Sequence, residues 1–442
     1  MASSLEVALG EARDRFVAAN PRSRAAHEEA VENLPGGNSR TTVFYPPFPL
    51  TMAGGTGCRL TDVDGHVYVD LLGDYTAGLY GHDNRVIRSA VDEALDAGWG
   101  FGAQCVHEAR LATVLCERFP ALDLVRFTNS GTEANLLALA TATAHTGRGT
   151  ILVFAGAYHG SVLYFGEPAI PINVPHRFVV GEYNDAGVTG ELIDRHAADL
   201  AAILVEPMIG SGGCIPGDPA FLAFLRRRAD ETGALLVFDE VMTSRMSRGG
   251  MQALLGITPD LMTLGKYTGG GMTFGAFGGR ADVMSMYDPR RPDFVPHAGT
   301  FNNNVLSMAA GYAGLTRLFP PETSRRLFER GERLRARLNE IGRDHDAAVQ
   351  WTGLGSMMTV HFQPEPIVAP RDLRPTPVHR ELFHLDLLDR GFHLARRGMV
   401  ALSLDIGTPE CDAFCSAFDG FLSRYGPLLS TPEPADASRT PV

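Results

Sequence analysis

The stretch LVRFTNSGTEANLLALATATAH, residues 124–145, contains a strand, a turn and a helix in direct succession. LVRFT is a short apolar run, which predicts a strand over 124–128. NSG is typical of a turn, and EANLLALATATAH is rich in good helix formers, which predicts a helix over 133–145. A strand that leads straight into a helix is the repeating unit of an α/β fold.

The same alternation continues toward residue 280. Continuous apolar strands that alternate with helices predict a largely parallel sheet covered on both faces. In such sheets ligands bind outside the carboxyl ends of the strands, so the residues after each strand are the site candidates. Further strands are predicted at ILVFAG (151–156), AAILVE (201–206), LLVFDE (235–240) and FGAFGG (274–279), with another helix at PAFLAFLRRRADET (219–232).

The remainder of the chain predicts a second, smaller α+β domain. After about residue 310 the sequence changes to long charged helices, such as SRRLFERGERLRARLNEIGRD, with short strands between them. We expect 73–312 to form the large domain, and 1–72 together with 313–428 to form the small one. Residues 429–442 are rich in proline, serine and alanine, which predicts a disordered tail.

Charge and composition exclude several classes of protein. The formal charge of -12 and the pI near 5.6 argue against a nucleic-acid or anionic-membrane partner. No apolar run approaches the ~20 residues that a membrane span needs. The six cysteines contain no CxxC pair and the N-terminus lacks a signal-peptide core, so we expect a cytoplasmic protein without a metal site.

Lys266, in TLGKYTGGG (263–271), is the only lysine of the chain, against 38 arginines. Arginine supplies charge equally well, but only the lysine amine can lose its proton and form a Schiff base with a carbonyl. A sequence that otherwise uses arginine would keep lysine where its chemistry needs a primary amine. The alternative is a lysine retained by chance on a surface loop.

Two more strands are followed by residues that suit an anion or a flat ring. Ser130, Gly131 and Thr132 stand where 124–128 turns into a helix, and a helix N-terminus attracts phosphate; alternatively Ser130 only caps the helix. Tyr158 follows 151–156, where it could stack on a planar cofactor or simply pack in its loop.

Asp239 ends the strongly apolar strand 235–240, and a buried carboxylate there needs a partner. A magnesium-holding strand of a nucleotide hydrolase would look similar, but it requires GxxxxGK[ST]. The Gly-Lys pair at 265–266 is followed by tyrosine and lacks the first glycine. GxGxxG, GxSxG and HExxH are also absent from the sequence. A protonated ring nitrogen of a cofactor is the remaining partner.

Pyridoxal 5'-phosphate requires an amine, a phosphate-binding site, an aromatic ring for stacking and a buried acid. The sequence offers a candidate for each of them. The sequence resembles the fold-type I pyridoxal-phosphate enzymes and, among them, the class III (ω-type) aminotransferases. The resemblance covers about 30–425, through NSGTEAN, GAYHG, ILVEP, LLVFDEV, TLGKYTGGG and HAGTFNNN in the family's order. It implies an α/β transferase fold, with a mostly parallel seven-stranded sheet in the large domain.

The resemblance implies roles for the residues near the cofactor ring. Lys266 would hold the cofactor and then act as the general base of the proton shift, and Asp239 would pair with the ring nitrogen. Tyr158 would stack on the ring. Glu206, in ILVEP, would lie close to the ring, or would only cap a loop.

The resemblance also implies how the phosphate is held. Ser130, Gly131 and Thr132 would bind it within one subunit. Thr300, in HAGTFNNN, would reach the phosphate of the neighbouring subunit. That role implies a homodimer with its active sites at the interface.

The segments FYPPFPL, DYTAGLYGH and FDEVMTSR are similar to those of the bacterial β-phenylalanine aminotransferases. This implies a ping-pong transfer from an aromatic β-amino acid to a keto acid, either 2-oxoglutarate or pyruvate. Arg40 would bind the donor carboxylate and Arg397 that of the keto acid, although the neighbouring Arg396 fits the register equally well. Both arginines could instead form surface salt bridges.

Phe44 and Tyr45, with Tyr75, would line an aryl pocket or else pack between the two domains. Glutamate-1-semialdehyde 2,1-aminomutase shares the core motifs, but its stretch after PGG differs from NSRTTVFYPPFP. Transaminases of ω-amines or of D-phenylglycine stay open as alternatives. A racemase or decarboxylase would keep Lys266 without aminating the cofactor, and a regulatory module would lose the lysine or gain a DNA-binding extension.

Overall fold

A computed structural model describes residues 4–166 and 168–429. The strands of these residues are β1 (Met52–Thr56), β2 (Arg59–Asp62), β3 (Val67–Asp70), β4 (Leu124–Thr128), β5 (Thr150–Phe154), β6 (Arg177–Gly181), β7 (Leu200–Val205), β8 (Met208–Ile209), β9 (Ile215–Pro216), β10 (Leu235–Asp239), β11 (Leu261–Gly265), β12 (Gly275–Gly279), β13 (Gln350–Leu354), β14 (Met357–His361), β15 (Phe392–His393) and β16 (Met399–Ala401). Their helices, besides short 3₁₀ and π turns, are α1 (Ser4–Ala19), α2 (Pro21–Val31), α3 (Arg85–Ala97), α4 (Val106–Arg118), α5 (Gly131–Thr146), α6 (Ala186–His196), α7 (Pro219–Thr232), α8 (Gly250–Leu255), α9 (Ala281–Met284), α10 (Val305–Ala313), α11 (Pro321–Asp344), α12 (Pro377–Asp389) and α13 (Thr408–Leu429). None of these helices combines the length and the apolar character needed to cross a bilayer.

The central element of the described residues is a seven-stranded sheet with the strand order β4-β12-β11-β10-β7-β5-β6. β12 runs antiparallel to both of its neighbours, and the other pairs are parallel. Every residue of β7, β10 and β11 is buried, as expected for strands that carry helices on both faces. The predicted α/β fold with a mostly parallel seven-stranded sheet is confirmed.

The strands predicted at 124–128, 151–156, 201–206, 235–240 and 274–279 are all present, with ends shifted by at most two residues. The helix predicted at 219–232 coincides with α7. β6 and β11 were not predicted from the sequence. β6 pairs only with β5 and is half exposed, so its pattern is weak. β11 is short and runs directly into a glycine-rich turn.

Two smaller sheets lie outside the large one, with the orders β1-β2-β3-β15 and β13-β14-β16. β3 pairs in parallel with β15, and α1 packs on α12, so the N-terminal segment and the C-terminal part share one body. This arrangement agrees with the predicted small domain, whose boundaries stay a prediction. α13 reaches Leu429, and the rest of the predicted tail, 430–442, lies outside the described residues.

Candidate active site

The central strands of the large sheet end in the residues that carry reactive groups. Asp239 ends β10, Glu206 follows β7, and Lys266 follows β11. β10 pairs in parallel with both β7 and β11, so the three carboxyl ends lie side by side. The sheet therefore brings one amine and two carboxylates into one site, as expected at this edge of an α/β sheet.

Lys266 begins a one-turn helix directly after β11 and has a left-handed backbone, with φ at 57°. Burial lowers the pKa of its amine to about 8, and the charges of Asp239 and Glu206 oppose this shift. An amine with a pKa near 8 stays mostly protonated at neutral pH, but its neutral form is far more populated than that of an ordinary lysine. The neutral amine is the form that attacks a carbonyl.

Asp239 is 5% exposed and is oriented by four donors. Its Oδ2 accepts hydrogen bonds from Asn135 Nδ2 and from His159 Nδ1, each at 2.8 Å. Its Oδ1 accepts from the backbone N–H of Val241 at 3.0 Å and from the Thr263 hydroxyl at 3.4 Å. The carboxylate is therefore stabilised as a buried acceptor with a fixed orientation.

Three of the groups around Asp239 were missed in the sequence analysis: Asn135, Thr263 and the role of His159. Asn135 lies on α5, and its Oδ1 accepts a hydrogen bond from the Thr263 hydroxyl at 2.9 Å. His159 is 2% exposed and follows β5. These residues are 24 to 104 positions from Asp239 in the chain, and a sequence does not reveal such contacts. NSGTEAN and GAYHG contain two of them, so the motifs were the available signal.

Glu206 is also buried, and it holds two loops together. Its Oε1 accepts a hydrogen bond from the backbone N–H of Tyr158, and its Oε2 accepts one from that of Gly210, both at 2.9 Å. Burial raises the pKa of this carboxyl, Asp239 raises it further, and His159 opposes the shift. Glu206 thus fixes the Tyr158 loop, and its carboxyl opposes the lowering of the Lys266 pKa by burial.

Ser130, Gly131 and Thr132 form the N-terminus of α5. The Ser130 hydroxyl accepts a hydrogen bond from the backbone N–H of Glu133, so Ser130 does cap the helix. A side chain at Gly131 would meet Val241 at 2.9 Å, and a Cβ added at Gly265 would lie 3.5 Å from the Gly131 backbone. The first N–H groups of a helix have no partner within it, so this terminus can attract an anion next to the Lys266 strand.

Tyr158 is 38% exposed, and its ring lies 6.1 Å from that of Tyr164 at a tilt of 60°. Burial raises the pKa of its phenol, and the nearby Arg397 guanidinium lowers it. The exposed face of the ring provides a surface on which a planar ligand can stack. Tyr158 therefore lies between the Glu206 loop and the arginine that the sequence analysis selected.

The structure separates Arg396 from Arg397. Arg396 lies 3.5 Å from Glu381 on α12, and Glu381 also pairs with Arg13 at 2.6 Å, so Arg396 belongs to contacts within the small domain. Arg397 instead places its guanidinium 5.1 Å from the centre of the Tyr75 ring. Within the described residues no carboxylate lies at ion-pair distance from Arg397. Burial lowers the pKa of Lys266, and the positive charge of Arg397 lowers it further.

Arg40 is exposed, and its Nη1 lies 3.0 Å from Asp74 Oδ1. Tyr75, the next residue, donates a hydrogen bond from its hydroxyl to the carbonyl of Thr42. The loop at 35–50 therefore contacts the segment whose Tyr75 ring packs against Arg397. The structure thus brings together Arg40, Tyr75 and Arg397.

The two other aromatic candidates have different surroundings. Tyr45 is 7% exposed, accepts a hydrogen bond from the Leu50 N–H, and packs its ring 4.5 Å from that of His384. The interpretation as a packing residue is therefore the correct one for Tyr45. Phe44 is 38% exposed and lies 6.0 Å from the ring of His27.

Thr300 is exposed, on the segment between Tyr287 and α10. Elsewhere in residues 4–166 and 168–429, no three His, Cys, Asp or Glu side chains form a group that could hold a metal ion.

These groups fit pyridoxal 5'-phosphate. The cofactor carries an aldehyde, a phosphate and a basic ring nitrogen. The site offers a buried amine of lowered pKa in Lys266, a helix N-terminus at the Gly131 end of α5, and a buried carboxylate in Asp239. Such a site at the edge of this sheet defines a pyridoxal-phosphate enzyme of fold type I.

Comparisons with known proteins give the family. The model of the class-III aminotransferases matches residues 42–165 and 181–404. The β-phenylalanine transaminase of Variovorax paradoxus is 50% identical over 428 residues, 97% of this chain and 98% of that protein. The crystal structure of a β-phenylalanine aminotransferase from V. paradoxus has a TM-score of 0.95, covering 96% of this chain and 99% of that chain.

Two further relatives carry other names. An ω-transaminase structure from Sphaerobacter thermophilus is 39% identical with a TM-score of 0.86, covering 91% of this chain and 97% of that one. A glutamate-1-semialdehyde 2,1-aminomutase of Sorangium cellulosum is 37% identical over 84% of this chain and 89% of that protein. The chain belongs to the class-III aminotransferase family and is a pyridoxal-phosphate-dependent transaminase.

Proposed function

We propose that this enzyme transfers the amino group of an aromatic β-amino acid, such as β-phenylalanine, to a keto acid by a ping-pong mechanism. The observation that carries the proposal is the 50% identity over nearly the full length with a transaminase named for β-phenylalanine. The identity with the aminomutase is lower, at 37% over a shorter match. The acceptor is 2-oxoglutarate or pyruvate.

The residues at the strand ends would each act on a different part of the cofactor. Bound pyridoxal phosphate supplies an aldehyde and a ring that withdraws electrons from the substrate carbon that loses its proton. Lys266 Nζ would hold the cofactor and would then move that proton. The Asp239 carboxylate would keep the ring nitrogen protonated, and Tyr158 would cover the ring face. Glu206 fixes the Tyr158 loop through its hydrogen bond to the backbone N–H.

The phosphate would bind at the N-terminus of α5, where Ser130 and Thr132 offer hydroxyls and Gly131 leaves room for Val241. Thr300 completes the phosphate site of a partner subunit. In support, its loop lies beside exposed apolar side chains: Phe301 is 66% exposed and Trp99 is 61% exposed. Asn303 links the two segments by a hydrogen bond to the carbonyl of Ala103. A cluster of exposed apolar residues marks a protein interface, which supports a homodimer.

Two arginines receive the two carboxylates. Arg40 binds that of the β-amino acid, and Arg397 binds that of the keto acid, with Tyr75 between them. A guanidinium suits this task because it binds a carboxylate through two parallel hydrogen bonds. Arg397 is placed for such a ligand, since its charge already reaches both Lys266 and Tyr158.

A substrate panel tests the proposed function. The holoenzyme is assayed with (R)- and (S)-β-phenylalanine, each against 2-oxoglutarate and pyruvate, and with 1-phenylethylamine as a matched donor without a carboxylate. We expect turnover of one β-phenylalanine enantiomer to exceed that of the amine. Turnover of the amine without turnover of either β-amino acid would contradict the proposal and favour an ω-amine transaminase. Conversion of glutamate-1-semialdehyde would favour the aminomutase.

The assignment of Arg397 gives a separate prediction. Arg397→Gln should lower kcat/KM for the keto acid by about 10- to 100-fold, because a hydrogen bond to a charged group contributes about 1.5–3 kcal/mol. Arg396→Gln is the matched control, since Arg396 pairs with Glu381; it should reduce thermal stability and leave kcat/KM for the keto acid unchanged. Steady-state kinetics of both variants show which of the two arginines binds the keto acid carboxylate. A larger kinetic loss in the Arg396 variant would reverse the assignment.

A further inference from the structure

Arg40 already has an ion-pair partner within the protein. Its Nη1 lies 3.0 Å from Asp74 Oδ1, while its side chain stays 57% exposed and that of Asp74 54% exposed. An exposed ion pair of this kind contributes little to stability, so a competing carboxylate can displace Asp74 at small cost. The guanidinium is thus held in place and remains accessible.

Asp74 lies close enough to the reaction centre to matter there. Burial lowers the pKa of Lys266, and Asp74 is one of the carboxylates whose charge opposes that shift. Tyr75, the residue after Asp74, lies 5.1 Å from the Arg397 guanidinium, so the Arg40–Asp74 pair borders the site. The pair of Arg88 and Asp92, in contrast, lies on the surface of α3.

The backbone at Asp74 is unusual, and it fixes where the carboxylate lies. Asp74, Tyr75 and Thr76 have φ values of 42°, 53° and 82°, in the left-handed region that residues with side chains rarely adopt. Three such residues in succession persist only where neighbouring contacts hold them. Asp70 supplies one contact, because its carboxylate accepts hydrogen bonds from the backbone N–H groups at 72 and 73.

The other contacts come from Tyr75. Its hydroxyl donates to the carbonyl of Thr42, two residues beyond Arg40, and its ring faces the guanidinium of Arg397 at 5.1 Å. One strained segment therefore holds Arg40 through a carboxylate and Arg397 through a ring. Among the described residues, Arg40 has a carboxylate of the protein at ion-pair distance and Arg397 has none.

We propose that Asp74 occupies Arg40 in the free enzyme, that the carboxylate of the amino donor displaces it, and that Asp74 thereby sets how tightly carboxylate ligands bind. The inference rests on the proposed function, in which Arg40 receives the donor carboxylate. Asp74 is a specificity-determining residue: ligands that bring a carboxylate must compete with it, whereas neutral ligands do not. Asp74 does not touch the transferred group and takes no part in the proton transfer.

The test is a binding experiment on the cofactor-loaded enzyme with 3-phenylpropanoate, which is β-phenylalanine without its amino group. In Asp74→Asn we expect calorimetry to give a dissociation constant about two- to five-fold lower, because an exposed competitor has been removed. Asparagine tolerates the left-handed backbone, so the segment should keep its shape. The neutral 3-phenylpropanamide should bind equally to both proteins. Asp92→Asn, which breaks an exposed pair on α3, should change neither constant.

Unchanged or weaker binding of 3-phenylpropanoate in Asp74→Asn would overturn the inference, as would equal changes for the acid and the amide. Arg40→Gln separates this failure from failure of the proposed function. If Arg40→Gln weakens 3-phenylpropanoate but Asp74→Asn does not tighten it, Arg40 is the carboxylate ligand and only the role of Asp74 is wrong. If Arg40→Gln has no effect, the assignment of Arg40 fails, and the inference fails with it.

Discussion

Lys266→Arg is expected to abolish transamination while leaving the fold intact. The positive charge and the length of the side chain are nearly kept, and arginine has no more difficulty than lysine in adopting the φ of 57° at this position. The guanidinium does not lose its proton in proteins, so it can neither hold the cofactor covalently nor move a proton at the substrate carbon. Loss of the general base alone should lower kcat by about 10²–10⁴-fold.

The measurement combines turnover with peptide mapping after borohydride reduction in the presence of pyridoxal phosphate. Since the chain has a single lysine, reduction should attach the cofactor to the Lys266 peptide in the wild type and to no side chain in Lys266→Arg. Arg88→Lys is the matched control, because it adds a primary amine on the exposed face of α3. That variant should stay active and carry the cofactor only at Lys266. Near-normal turnover of Lys266→Arg would refute the assignment.

Much of this site could be predicted from the sequence because its main groups follow buried strands. Apolar runs such as 201–206 and 235–240 mark the strands, and parallel strands end at one edge of a sheet, so Glu206 and Asp239 had to lie close together. Lys266 was selected by composition alone, since its strand β11 was not predicted. Local order along the chain therefore located the site before any long-range contact was known.

The parts that were not predicted depend on contacts between distant segments. The Arg40–Asp74 pair joins residues 34 positions apart, and nothing in either segment indicates the other. Arg396 and Arg397 are neighbours with different surroundings, because they lie in the turn between β15 and β16 and one side chain meets Glu381 while the other meets the Tyr75 ring. Tyr45 is as aromatic as Tyr75, but only packing against His384 shows that it belongs to the core.

Asp239→Asn should lower kcat by about 10²–10³-fold, the usual effect of removing one electrostatic group from a catalytic site. The substitution keeps the size and shape of the side chain, and its oxygen can still accept the hydrogen bond that Asn135 donates at 2.8 Å. It removes the negative charge, together with the acceptor that faces the backbone N–H of Val241. A neutral amide does not keep the ring nitrogen of the cofactor protonated, so the ring withdraws electrons less well. Substrate binding should change less than turnover, because both arginines remain.

The neighbouring acid provides the control for this prediction. Glu240 is buried like Asp239, but its carboxylate accepts hydrogen bonds from the backbone N–H groups of Met251 and Gln252 at 2.6 and 2.9 Å, away from the amine. Burial raises its pKa to about 7, so Glu240→Gln replaces a carboxyl that is partly protonated at neutral pH. This variant should keep its turnover per folded molecule, whereas Asp239→Asn should lose it with the cofactor still bound. Equal kinetic losses in the two variants would mean that burying any amide at this strand end disrupts the site, and that the charge of Asp239 is not what the reaction uses.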